Sequence, residues 1–123
     1  MILDRKTTGE QGEILARNYL KKNGYKIIET NFRTRYSEID IVARKKDTIV
    51  FVEVRSKTSS NFGSPEESIT PTKARHMASA AYYYLQHHKN MPENWRIDFL
   101  AVELDDQGKL IRLNHIENAI EDL

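Results

Sequence analysis

Two periodicities alternate along this 123-residue chain. From Gly9 to Asn23, Ile14, Leu15, Ala16, Tyr19 and Leu20 recur at near-helical spacing, and Gly24 follows where a left-handed C-cap is favoured, so a first helix is expected there. Residues 1–8 lack that pattern and read as a loose arm. Three segments rich in Ile, Val, Phe and Tyr come next, Tyr25–Asn31, Glu38–Arg44 and Thr48–Ser56, and predict three strands in a meander. Lys57–Ile69 has few apolar positions and reads as a loop of a length more often functional than decorative. Thr70 suits an N-cap and Pro71 a first helical turn. The stripe Ala74, Met77, Ala78, Ala81 and Leu85 then predicts a second helix to about His88, its apolar face packing a core rather than a cofactor. After a turn at Lys89–Asn94, Arg96–Leu104 returns to strand character. Asp105–Gly108 turns, Lys109–Leu113 forms a short strand, and the last residues form one helical turn.

Period-two alternation puts Ile39, Ile41 and Ala43 on one face of the second strand, with Asp40 and Val42 on the other. In the third strand Val50, Val52 and Val54 share a face, opposite Ile49, Phe51, Glu53 and Arg55. Both faces of both strands are thus largely apolar, the mark of central strands covered on two sides. The fold class expected is α/β, a mixed sheet flanked by helices on both faces. No repeat or linker divides the chain, so residues 1–123 read as one domain.

A reversal at Lys46-Asp47 pairs Ile41 with Val52, Val42 with Phe51 and Asp40 with Glu53, matching apolar residues face for face. It also sets two carboxylates side by side, with Cβ atoms about 4.5–5.5 Å apart, where like charges repel. Burying them adds several kcal/mol unless something compensates. A divalent cation, a proton on one carboxyl, or Arg55 as a structural ion-pair partner would each serve. Mg²⁺ suits the first role, since one or two carboxylates hold it while phosphate and water complete its octahedron. Arg55 and Lys57 follow Glu53 on the same alternation, so acids and bases converge on one patch, as a metal-dependent phosphodiesterase requires. Glu13 is explained on spacing alone as an acid favoured in a first helical turn. Glu38 opposes Arg55 in this register, as ion-pair partner or auxiliary ligand.

With no cysteine there is no disulfide framework, thiolate zinc site or Cys nucleophile, and the four histidines lack metal-motif spacing. The start turns charged too early for a signal peptide, and no apolar run approaches the ~20 residues that span a bilayer, so a cytoplasmic chain with no membrane partner is expected. The net charge of +1 conceals 16 basic against 11 acidic residues before Arg96, then 3 basic against 7 acidic. Arg33, Arg35, Arg44, Lys45 and Lys46 gather near the ends of the hairpin, and Lys73, Arg75 and His76 begin the second helix. Such groups solvate a surface or contact phosphates. Of Tyr82, Tyr83 and Tyr84 at least one must be exposed, at a packing boundary, a self-association surface or a base stack. Trp95 reads as an anchor at a strand entrance and His87-His88 as helix-end residues.

Gly12-Glu13 with Ala16 and Tyr19-Leu20, Gly24-Tyr25, Asn31-Phe32-Arg33, Glu38-Ile39-Asp40, Phe51-Val52-Glu53-Val54-Arg55, Phe62-Gly63-Ser64-Pro65, Lys73 and Arg96-Ile97-Asp98 together resemble the bacterial YraN family. That family is similar to restriction-endonuclease-like nucleases and closest to Holliday junction resolvases. The resemblance implies the nuclease core of that fold. It implies Asp40 and Glu53 as ligands of Mg²⁺ or Mn²⁺, Glu13 as an auxiliary acid reaching the metal, and Lys73, Arg33 and Arg35 as nucleic-acid contacts. The chain departs from the family in Ser37, where Gly is usual, and in Arg55, where the signature has Lys. Arginine is always protonated: it can hold phosphate but cannot activate water. Lys57 would take that role if the strand end bends. The function implied is a metal-dependent endonuclease acting on structured or branched DNA. The alternative is an inactive nucleic-acid-binding or scaffolding module, and a homodimer is compatible with either.

Overall fold

Asp4 caps a helix. Its Oδ1 accepts the Thr7 N–H at 2.7 Å, and α1 runs Arg5–Lys22, so the segment expected as a loose arm contributes the helix's first turn. The computed structural model of the chain describes residues 4–59 and 63–120. Met1–Leu3 of the arm and Phe62 of the family motif lie outside the described residues. The helix stops at Asn23, and Gly24 takes a φ of +86°, the conformation that glycine adopts without steric cost.

Five strands follow in chain order: β1 (Lys26–Arg33), β2 (Glu38–Lys45), β3 (Thr48–Thr58), β4 (Asn94–Leu104) and β5 (Leu110–Ile116). They form one sheet in the order β1-β2-β3-β4-β5. All neighbours are antiparallel except β3 and β4, which run parallel. A parallel pair needs a long crossover, which α2 (Pro71–His87) supplies. Thr70 caps that helix, its Oγ1 accepting the Lys73 N–H at 3.2 Å. The segment between β3 and α2 is less irregular than expected: β3 extends through Thr58 and Pro65–Ser68 forms a 3-10 turn. After β5, Glu117-Asn118 makes a turn and the Ala119 N–H donates to Ile97 O at 2.7 Å, while residues 121–123, part of the expected final helical turn, lie outside the described residues.

The two helices cover opposite faces, so the α/β class and the mixed, doubly covered sheet are as expected. Ala16 and Leu20 of α1 pack on Ile41, Val52, Leu100 and Val102. Met77, Ala80, Ala81 and Tyr84 of α2 pack on Val42, Phe51, Ile97 and Phe99. Ala78 and Leu85 fall at the margin of that second core, so the buried stripe is rotated from the one expected, with Tyr84 at its centre. Trp95 is partly buried there, edge-on to Phe51 and Tyr82. Tyr82 is the exposed member of the tyrosine run, at 56%. No helix among the described residues is long and apolar enough to cross a membrane.

One buried polar network had no signal in the pattern. Asp98 is wholly buried, and accepts from Arg96 Nε at 3.0 Å and the Asn118 N–H at 2.9 Å. His115 Nε2 lies 2.7 Å from its second oxygen, and His115 Nδ1 lies 3.0 Å from the Tyr19 hydroxyl. Arg96 also donates to the Tyr25 hydroxyl at 2.7 Å. Burial opposes ionisation of Asp98, yet the bonds from His115, Asn118 and Arg96 hold its carboxyl below the ordinary range. The network ties α1 and the entrance of β1 to β4 and β5. Asp98→Ala leaves Arg96 and His115 without their buried partner and is expected to cost about 3–5 kcal/mol in urea unfolding.

Glycine 12 sets how closely α1 approaches the sheet. A Cβ there would lie 1.7 Å from Ser56 Oγ and 2.7 Å from Ser56 Cβ, closer than atoms can come. At Gly9, one turn earlier, nothing lies within 4 Å of such a Cβ. Gly12→Ala is therefore expected to lower stability by about 1–3 kcal/mol through overpacking. Gly9→Ala should raise it by roughly 0.5–1 kcal/mol as an ordinary helix substitution. Thermal unfolding of the two variants checks the contrast.

Candidate active site at the end of the central hairpin

The β2–β3 ladder keeps the expected register from Lys45↔Thr48 to Ile41↔Val52 and stops one pair short of Asp40 and Glu53. At that point Asp40 bonds with its side chain: its Oδ2 accepts the Val54 N–H at 2.8 Å. The alternation of β2 breaks here as well. Ile39 packs with Val42 on the α2 side while Ile41 and Ala43 pack on the α1 side, which corrects the expectation that Ile39, Ile41 and Ala43 share a face. Across β1, the pairs Thr30↔Ile41 and Phe32↔Ile39 flank Asn31, which takes a φ of +53°. The irregularity thus crosses both strands at the level of Asp40.

Glu53 is only 7% exposed, and its carboxylate forms an ion pair with the Arg55 guanidinium. Asp40 and Glu53 line the same notch and interact electrostatically, so the two acids stay neighbours although the backbone ladder has ended. Burial pushes the Asp40 carboxyl up to about 8, with the Glu53 charge adding to the rise and the Val54 N–H opposing it. The shift favours the protonated form of Asp40. Of the three expected ways to relieve the crowded acids, the Arg55 ion pair is present in this structure, and the raised Asp40 carboxyl favours the second, a proton. Arg55 Nε is buried and has no hydrogen-bond partner among the described residues.

Two clefts meet along this line. The wider one, on the α1 side, is lined by Arg5, Glu13, Asn31, Arg33 and Lys57 among others. The narrower notch, on the α2 side, is lined by Ser37, Glu53, Lys73, His76 and Met77. Glu38, Asp40, Val54 and Arg55 line both and form the divide. With its amide nitrogen turned toward the acids, the orientation that satisfies both its ends, Asn31 donates to Glu13 Oε1 at 3.2 Å and Glu38 Oε1 at 2.8 Å. Burial raises the Glu13 carboxyl, Arg17 opposes this, and the charges of Glu38 and Glu53 add to the rise.

The structure brings Asp40, Glu53 and Arg55 into contact, places Lys73 beside them in the notch, and sets Glu13 and Lys57 in the wider cleft. Glu38 does not oppose Arg55. It lies across from Arg33 on β1 and pairs with that side chain at 3.4 Å, because β2 and β3 have parted by then. Arg35 sits beyond both clefts, donating to the Tyr36 hydroxyl at 2.9 Å. Among the described residues no three His, Asp or Glu side chains form a ready-made ligand cluster. The two hard carboxylates of Asp40 and Glu53 still match what Mg²⁺ takes from protein when water and phosphate supply the rest. The sequence pattern assigned no role to Asn31, the Val54 N–H, or Arg5 and Lys6, whereas His76, expected as a surface or phosphate-contacting group, lines the notch. An Asn inside a strand, a residue type that tolerates positive φ, was the one available signal.

A carboxyl raised in the folded state stabilises the fold while protonated. That contribution is fully present below about pH 4 and is lost as pH climbs toward about 8. Without divalent cations, stability should fall across this window by at most about 1.4 kcal/mol per pH unit from this group. Asp40→Asn, which imitates the protonated acid, should flatten that part of the curve in denaturant titrations at several pH values.

The model of the family described as "Uncharacterised protein family UPF0102" matches residues 12–102. A UPF0102 protein of Syntrophomonas wolfei is 47% identical over 111 residues, 90% of this chain and 95% of the relative. One from Dehalococcoides mccartyi is 45% identical over 120 residues, 98% of each chain. Another, from Geobacter metallireducens, is 41% identical over 121 residues, again 98% of each. The family match spans α1 to β4, from the close-approach Gly12 through the parted hairpin to the Arg96–Asp98 pair, and the chain belongs to the UPF0102 family, the YraN family.

Proposed function

We propose that this protein is a metal-dependent endonuclease that hydrolyses phosphodiester bonds in structured or branched DNA. The observation that carries this reading is the Asp40–Glu53 pair, two neighbouring acids, Glu53 buried and Asp40 partly so, where two clefts meet, with Asp40 lining both clefts and Glu53 the notch. A stability-driven core would place an apolar residue at such a position, since a buried acid pair costs more than it returns. Perturbed acids in a cleft are also where catalytic sites concentrate.

In this reading Asp40 and Glu53 hold Mg²⁺ or Mn²⁺, with Glu13 as auxiliary acid across the wider cleft. A bound divalent ion supplies positive charge against phosphate oxygens and a water of lowered pKa. Arg55 provides a fixed charge beside Glu53 to hold phosphate, and takes no proton. Lys57, on the same strand and lining the wider cleft, is the amine placed to serve as base. Asn31 fixes the carboxylates of Glu13 and Glu38, Lys73 and Arg33 contact phosphates on either side of the divide, and Arg35 makes a further phosphate contact beyond both clefts. A cytoplasmic location accords with a DNA substrate.

A second reading has a specific observation in its favour. Arg55 stands where the family signature has Lys, and its guanidinium already occupies Glu53. On that basis the chain is an inactive nucleic-acid-binding or scaffolding module.

Purified protein incubated with four-way-junction, single-stranded and duplex DNA separates the two. The nuclease reading predicts cleavage that requires Mg²⁺ or Mn²⁺ and disappears in Asp40→Ala and Glu53→Ala. It also predicts calorimetric Mn²⁺ binding that Asp40→Ala removes and that strengthens between pH 6.5 and 8.5, as the Asp40 proton becomes easier to displace. No cleavage of any substrate, with salt-dependent DNA binding that Glu53→Ala leaves unchanged, would establish the binding module instead.

A further inference from the structure

On α2, Lys73, His76, Tyr83 and His87 follow at steps of three, seven and four residues and therefore share one flank of the helix. The N-terminal end of this flank opens into the notch, where Lys73 and His76 line the same space as Asp40 and Glu53. Its far end, about 15 Å along the axis, meets the turn between β1 and β2. There the Phe32 ring lies 6.3 Å from Tyr83, and Arg35 is within electrostatic reach of the Tyr83 hydroxyl.

Two rings at that end each carry one stacked partner and keep part of their surface in solvent. The Arg35 guanidinium lies 5.0 Å over the Tyr36 ring, and Tyr36 is 39% exposed at the tip of the turn. Tyr83 stacks on the exposed His87 with centroids 4.0 Å apart and planes 20° from parallel. Neither stack belongs to the acid site, and neither Tyr36 nor Tyr83 is among the fully buried side chains of the α2-side core. Bases inside a duplex keep their faces turned to one another, whereas an unpaired strand presents them to aromatic rings while its phosphates follow cationic side chains.

We propose that this flank is a track for an unpaired DNA strand, leading from the Asp40–Glu53 notch past Lys73 and His76 to Tyr36 and Tyr83, on which successive bases stack. The inference rests on the nuclease reading for the nature of the polymer and sharpens it. The substrate presents a single-stranded segment, such as the arm of an opened branch, and duplex alone engages only the cations.

Fluorescence anisotropy of the full chain in EDTA, with dT16 and with a 16-base-pair duplex, tests this without any metal-dependent step. The track predicts dT16 bound at least ~10-fold tighter than the duplex. Tyr36→Ala and Tyr83→Ala should each weaken dT16 by about 5–150-fold while leaving the salt dependence unchanged, and Tyr83→Phe should keep the affinity. Lys73→Ala should instead reduce the slope of log affinity against log salt by about 0.7. Tyr36 lies in an exposed turn, so its variant reports on stacking with the fold intact. Duplex bound as tightly as dT16, or wild-type affinity in both alanine variants, would overturn the track. A loss of cleavage with these preferences retained would overturn only the nuclease reading.

Discussion

The contact on which the site depends is the one between Asp40 and the Val54 N–H. By accepting that hydrogen bond with a side chain, Asp40 ends the ladder between β2 and β3 and parts the two strands one pair before the acids would face each other regularly. Ile39 crosses to the α2 side, Glu38 turns to Arg33 on β1, and the opening exposes one line of groups to two clefts. A regular ladder would have forced two like charges into fixed opposition. The parted one lets Asp40 turn to the Val54 N–H and leaves Glu53 within reach of Arg55.

The rest of the fold supplies rigidity around that opening. Gly12 lets α1 lie against Ser56, which brings Glu13 to the rim of the wider cleft. The Asp98 network clamps α1 and the start of β1 onto β4 and β5. The turn before α2 is held in a similar way: Arg112 of β5 makes two bonds to Glu66, at 2.7 and 2.9 Å, and holds that carboxyl at about 2.

Much of this was legible in the sequence, and the boundary has physical causes. The apolar runs of β2 and β3 on both faces announced central strands between two helices, and the turn at Lys46-Asp47 set their register. Periodicity assumes that an ideal strand continues, however, and it failed where Asp40 diverts its side chain to the backbone. Ile39 and Glu38 were misplaced for that single reason. The first turn of α1 escaped because Arg5, Lys6 and Thr7 have no apolar partner, and only the Asp4 cap marks the start. The Asp98–His115–Tyr19 network joins residues remote in sequence, which no local pattern connects. The register up to Ile41↔Val52 brought Asp40 and Glu53 to the same end of the hairpin, but the regular pair expected between them does not form.

The proposed function requires Asp40 and Glu53 to form a cation site, with Arg55 on Glu53 when no cation is bound. A crystal structure of the protein soaked in Mn²⁺ above pH 8 tests it most directly. The account predicts an anomalous-scattering peak between the carboxylates of Asp40 and Glu53, with the Arg55 guanidinium displaced from Glu53. Clear density for both side chains with no Mn²⁺ between them, and Arg55 still on Glu53, would contradict it.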